Sequence, residues 1–127
     1  MAWDIIYHDN EPNEPTIGDI WPENDWRNSK ILSRKYRTET SLYRPPLVVM
    51  LPSVYTLRGD PFVIDRAVNG DVLCRGWNII INGDMVNGQK LHLTMSPSIN
   101  SVGSYGTITD GVISDDMEGR DYRPVTD

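Results

Sequence analysis

The residues with the greatest capacity for chemistry crowd into one stretch, "HLTMSPSINSVGSYGTITDGVISDDMEGR", residues 92–120. His92 precedes Ser96 and Ser98 by a few positions, and Asp115, Asp116 and Glu118 follow. A histidine within reach of a serine hydroxyl is the start of nucleophilic catalysis, because the imidazole takes the proton the hydroxyl must lose. Three clustered carboxylates are the start of a cation site. The spacing supports neither strongly. A nucleophile elbow needs Gly-x-Ser-x-Gly between strand and helix, and Ser96-Pro97-Ser98 is instead typical of a turn whose hydroxyls bond nearby backbone. A calcium loop needs oxygen ligands at alternating positions around a central glycine and a closing glutamate. The acids at 115–118 lack that register and read as the solvated end of a hairpin.

Other metal chemistry is equally thin. The chain has two histidines, His8 and His92, far apart in sequence, and one cysteine, Cys74. There is no Cys-x-x-Cys or His-x-x-x-His spacing, so no cofactor or metal is expected. Cys74 lies in the apolar "DVLCRGW" and reads as a buried, inert thiol, which suits a reducing compartment. Asp65 in "FVIDR" sits beside Arg66 within an apolar run and reads as an edge-exposed Asp–Arg pair. Neither "NGDMVNGQK" nor "GSYGTITDG" has the form of a phosphate-binding loop.

These residues must be held by elements legible in the hydropathy pattern. "LVVMLP" at 47–52 is a continuous apolar run closed by proline, the mark of a buried strand. "PFVIDRAV" and "GWNIIING" read as further strands. "KLHLTMS" alternates, with Leu91, Leu93 and Met95 on one face and Lys90, His92 and Thr94 on the other. Asp110-Gly111 between β-branched residues predicts a tight hairpin. Nine prolines and ten glycines argue against long helices. At 127 residues and 39% hydrophobic, the expectation is one mainly β domain: a compact small sandwich or partly open barrel of five to seven short strands. Residues 1–30 read as an irregular acidic N-terminal arm: "WDIIY" offers a short strand, but "NEPNEP" then breaks any ladder. Residues 31–120 form the globular domain and 121–127 a tail, with a short helix expected from Asn28 to Leu42.

Charge is unevenly spread. Residues 1–26 hold seven acids and no Lys or Arg, residues 27–44 six bases and one acid, and residues 110–127 six acids and two arginines. The leading expectation is that the basic segment is solvated or pairs with the acidic ends. The other possibility is a contact surface, with Trp3, Trp21, Trp26, Arg27, Lys30, Arg34, Lys35 and Arg37 as candidates for binding a protein partner. The formal net charge of −6 opposes general binding to a phosphate backbone. Nucleic-acid contact through 27–44 is the weakest of three functional readings, behind a small hydrolase or nucleotide-processing enzyme using His92, Ser96 and Ser98. No run is long enough for a membrane helix, and the acidic N-terminus does not resemble a signal peptide.

In order, "GDIWP", "LSRKY", "RPPLVVMLP", "FVIDR", "GWNIIINGD" and "LTMSPSIN…Y…DGVISDDMEGR" resemble a group of small uncharacterised bacteriophage and prophage proteins. The similarity spans about residues 18–120, through short motifs. It implies phage origin, a place in the host cytoplasm or virion, and no activity that can be transferred. Where the group's pattern reads Tyr-His-Gly, this chain has Tyr105-Gly106, and the missing histidine weighs against catalysis. The favoured expectation is therefore a non-enzymatic accessory protein acting by protein–protein contacts, as a monomer or homo-oligomer. If the N-terminal arm makes those contacts, removing residues 1–17 leaves the domain folded and weakens binding.

Overall fold

A computed structural model describes residues 1–32, 45–66, 72–73, 76–101 and 103–115. Two five-stranded sheets pack face to face. The first runs β1 (Ala2–Asp4), β10 (Val112–Ser114), β9 (Ser104–Thr109), β8 (His92–Ser101) and β7 (Asn78–Asn82). The second runs β2 (Ile6–Tyr7), β3 (Asp19–Pro22), β4 (Leu47–Leu51), β5 (Asp60–Arg66) and β6 (Val72–Leu73). All pairings are antiparallel except β2 with β3. The fold is thus a small β sandwich, with more strands than the hydropathy runs alone suggest.

The alternation seen in sequence decides which side chains face inward. Ile20, Leu47, Val49, Leu51 and Ile64 from one sheet meet Leu93, Met95, Ile99, Ile108 and Ile113 from the other in a single core. Strand neighbours point to opposite faces, so Val48 and Met50 look outward. There they form a second, smaller cluster with Trp21, against which Ile31 and Val63 pack. This explains why "LVVML" reads as continuously apolar: both faces of β4 are covered.

The largest departure from expectation is at the N-terminus. Residues 1–30 are not an irregular arm: they supply β1, β2 and β3. The chain from Ala2 to His8 runs along the seam where the sheets meet. β1 pairs with β10 from Ala2↔Ser114 to Asp4↔Val112. Ile5 then donates to Gly111 O and accepts from Leu91 N, both at 2.8 Å. On the opposite side Ile6 donates to Gly18 O at 2.9 Å and His8 to Ile20 O at 2.8 Å. Tyr7 returns to the first side, donating to Gln89 O and accepting from Gly88 N. One strand therefore belongs to both sheets, and Ile5 is wholly buried between them. "NEPNEP" breaks the ladder only after this strand is complete.

A second junction lies at the end of the sandwich. Tyr105 donates to Pro52 O at 3.0 Å and Val54 to Gly103 O at 2.9 Å, around an isolated Ser53↔Ser104 bridge. The remaining side stays open, with no ladder between β6 and β7 among the described residues. Phe62 and Trp77 meet there edge to face, with ring centroids 5.5 Å apart. Two joined sides and one open one place the fold between a sandwich and a closed barrel.

The helix expected from Asn28 to Leu42 falls mostly outside the described residues; Trp26–Asn28 forms one short 3-10 turn. Among the described residues no helix is long and apolar enough to cross a membrane.

The Asp110-Gly111 hairpin is present as expected. Val112 pairs with Thr109, leaving a two-residue turn in which Asp110 (φ 46) and Gly111 (φ 78) both adopt positive φ, as a type I′ hairpin requires. At Gly111 a Cβ would sit 2.5 Å from Leu91 O. Gly111→Ala is therefore expected to cost about 1–3 kcal/mol, from backbone strain and from this contact. A urea titration reads this as a lowered midpoint, and an unmoved midpoint would show that the turn relaxes freely.

Candidate functional site

His92 opens β8 and shares its outer face with Thr94 and Ser96, because inward positions are taken by Leu91, Leu93 and Met95. Its Nδ1 lies 2.8 Å from Asp110 Oδ1, while Asp110 N donates to Thr94 Oγ1 at 2.9 Å. The hairpin turn is thus folded back onto the neighbouring strand. A histidine oriented by a carboxylate is half of a general-base arrangement, and the candidate serines do not complete it. Ser96 is four residues along the same extended strand, so roughly 13 Å separates the two backbones, well beyond hydrogen-bond reach. Ser98 follows the cis Ser96–Pro97 bond, within the irregular stretch between Met95 and Ile99. The His92/Ser96/Ser98 constellation is therefore not assembled. Both members of the His92–Asp110 pair are also well exposed, at 48% and 70%, so water reaches both.

The acids that prompted the metal question serve a structural purpose where they are described. Asp115 Oδ1 holds the N-terminal ammonium at 2.9 Å, at the start of the β1–β10 ladder. Asp116 and Glu118 lie outside the described residues, as does Cys74. Among the described residues no group of three His, Cys, Asp or Glu side chains could hold a metal ion. Asp65 and Arg66 are half-buried on β5 opposite β6. Being strand neighbours they face opposite ways, and neither is without an interaction.

Comparison with known proteins returned no match: no protein-family model, no curated protein and no solved structure resembles the chain. Any function must be argued from the residues themselves.

A second polar cluster, unmarked by any motif, sits where β2 and β3 end. His8 Nε2 lies 2.8 Å from Asp19 Oδ1, and Asp19 Oδ2 accepts from Thr16 N at 3.0 Å. The buried Glu23 accepts from Ser29 Oγ at 2.9 Å, and Ser29 Oγ in turn accepts from the backbone of Ile31 and Leu32. Burial, reinforced by Glu23, pushes the Glu11 carboxyl above its usual range. Burial also raises the Tyr7 hydroxyl, with Asp9 adding to the effect and Arg66 opposing it. The Ser29 bonds tie the 3-10 turn and the segment after it to the end of β3. The cluster is scaffolding for what it carries.

What it carries is the proposed contact segment, and the structure separates its tryptophans. Trp21 is fully buried, so it cannot touch a partner. It follows Ile20 on β3, opposite Val48, and belongs to the outer apolar cluster. Trp3 pairs with Ile113 on β1 and packs against the main core, leaving only part of its ring exposed. Trp26 is half-exposed in the 3-10 turn, and the Arg27 guanidinium lies over its ring, 4.9 Å from the centroid. Lys30 is exposed nearby. Among the described residues, neither Arg27 nor Lys30 pairs with a carboxylate, whereas Met1–Asp115, His8–Asp19, Lys90–Asp4 and His92–Asp110 do form close pairs. Of the two expectations for the basic segment, solvated or paired with the acidic ends, these two positions follow the first. Arg34, Lys35 and Arg37 lie outside the described residues.

Proposed function

We propose that the chain is a non-enzymatic accessory protein of bacteriophage or prophage origin. It acts in the host cytoplasm or on the virion, by docking onto another protein. The observation that carries this reading is the Trp26–Arg27–Lys30 turn. A guanidinium stacked on a half-exposed indole forms a flat, preorganised cationic surface, and such Trp and Arg side chains dominate protein interfaces. The turn is fastened to the fold through Ser29 and Glu23, so little order must be gained on binding. Neither cation is paired with a carboxylate among the described residues, which leaves both charges available to an acidic partner.

The test immobilises the full chain and exposes it to lysate from infected cells and to proteins of purified particles. A defined partner should be retained, and the Arg27→Glu/Lys30→Glu variant should bind it about tenfold more weakly or worse. Because both side chains are exposed, the variant should melt like the parent. Equal retention by the two proteins would overturn the proposed contact surface, and a partner consisting of nucleic acid would replace it with another reading.

A further inference from the structure

Three Asn-Gly pairs occur in the chain, at 69–70, 82–83 and 87–88. The first lies outside the described residues, and the other two bracket the loop between β7 and β8. We infer that Asn82 is a site of spontaneous deamidation in the folded protein, while Asn87, five residues away, is protected from it. In this chemistry the backbone nitrogen of the following glycine attacks the asparagine Cγ. An N–Cγ bond forms, the Cγ–Nδ2 bond breaks, and the side-chain nitrogen leaves as ammonia with the proton lost by the amide. Water then opens the cyclic imide, at Cγ to give aspartate or at the backbone carbonyl to give isoaspartate. Water enters, ammonia leaves, and nothing is oxidised or reduced.

Both reacting groups must be free, and they differ between the two sites. At the second pair, Asn87 Oδ1 accepts from Asp9 N at 2.9 Å, and Gly88 N donates to Tyr7 O at 2.7 Å. The electrophile is held by one segment and the nucleophile by the seam strand. At the first pair, Asn82 is the last residue of an edge strand, and both it and Gly83 are exposed. Among the described residues, neither the Asn82 carboxamide nor the Gly83 N–H has a hydrogen-bond partner. The space around the Gly83 Cα is open, with nothing within 4 Å of a Cβ built there. Glycine adds no side chain to hinder the approach of its nitrogen.

The product has a local consequence. Asn82 is the cross-strand partner of His92, which already bonds Asp110. Deamidation places a second carboxylate beside that imidazole, and the isoaspartate form adds a backbone atom that misaligns the end of β7.

The experiment incubates the full-length protein at mildly alkaline pH, under native conditions and in denaturant, and follows both sites by peptide mapping and mass spectrometry. In the native protein, conversion at Asn82 should outpace Asn87 by roughly tenfold or more, because the reacting groups are held by two hydrogen bonds at Asn87–Gly88 and by none at Asn82–Gly83. In denaturant the two sites should convert at similar rates. Equal rates in the native protein, or an Asn82 that converts only once unfolded, would overturn the assignment. Asn82→Gln, which blocks the five-membered ring, should abolish the native-state signal.

Discussion

Removing residues 1–7 is expected to abolish the cooperative fold. This reverses the expectation that a longer N-terminal segment, residues 1–17, could be removed without harm. Ile5 is wholly buried and Tyr7 nearly so, and each such side chain contributes about 1.5–3 kcal/mol through burial alone. Their loss also strips the outer edge from β10 and from β3, opening the core to water on the side where the sheets are joined. A small domain has only about 5–15 kcal/mol of stability in total, and the combined loss is of that order. The full chain should show one sigmoidal thermal transition by circular dichroism and dispersed amide resonances; the truncated chain should show neither. A truncated protein that melts within a few degrees of the parent would mean the sheets hold together without their shared strand. Ile5→Ala is the milder companion, expected to cost about 2–5 kcal/mol.

The second large effect falls on Trp21. Trp21→Ala is expected to destabilise the fold by about 3–5 kcal/mol, because it empties the centre of the cluster formed with Val48 and Met50. Trp21→Phe should be far gentler, since the indole N–H has no acceptor among the described residues and only volume is lost. Denaturant midpoints for the two variants decide the matter. If Trp21→Ala left the midpoint unchanged, the outer cluster would contribute nothing, and Trp21 would return to the set of contact residues.

Much of the architecture was legible in the amino-acid pattern, and the failures have identifiable causes. "LVVML" announced a strand covered on both faces, and Asp110-Gly111 announced its turn because few residues tolerate consecutive positive φ. The strand containing His92 was clear from its alternation, although Pro97 hid its full length to Ser101. β1 and β2 show only as a hint in "WDIIY", because two- and three-residue strands carry almost no periodicity and the prolines that follow suggest irregular chain. Trp21 and Trp26 looked alike in sequence because both lie in polar company. Pairing with Val48 buries one, and a distant strand's register cannot be read locally. The His92–Asp110 contact was hidden by the same limit. It exists because the hairpin returns Asp110 to the level of Thr94, a relation that appears only once β8 and β9 are aligned.

The strand shared by the two sheets also bears on the order in which the protein can be made. Ala2 pairs with Ser114, and Ile5 is held by Gly111 and Leu91. Residues 2–5 therefore leave the ribosome long before the partners they pair with. Such distant pairing slows folding, because chain entropy is lost before the contacts that offset it are made. Until β8 to β10 have emerged, the inner face of the second sheet, Ile20, Leu47, Val49, Leu51 and Ile64, lacks the residues that cover it. A nascent chain stalled before that point presents an apolar surface suited to a chaperone, and translation itself sets the earliest moment at which the sandwich can close.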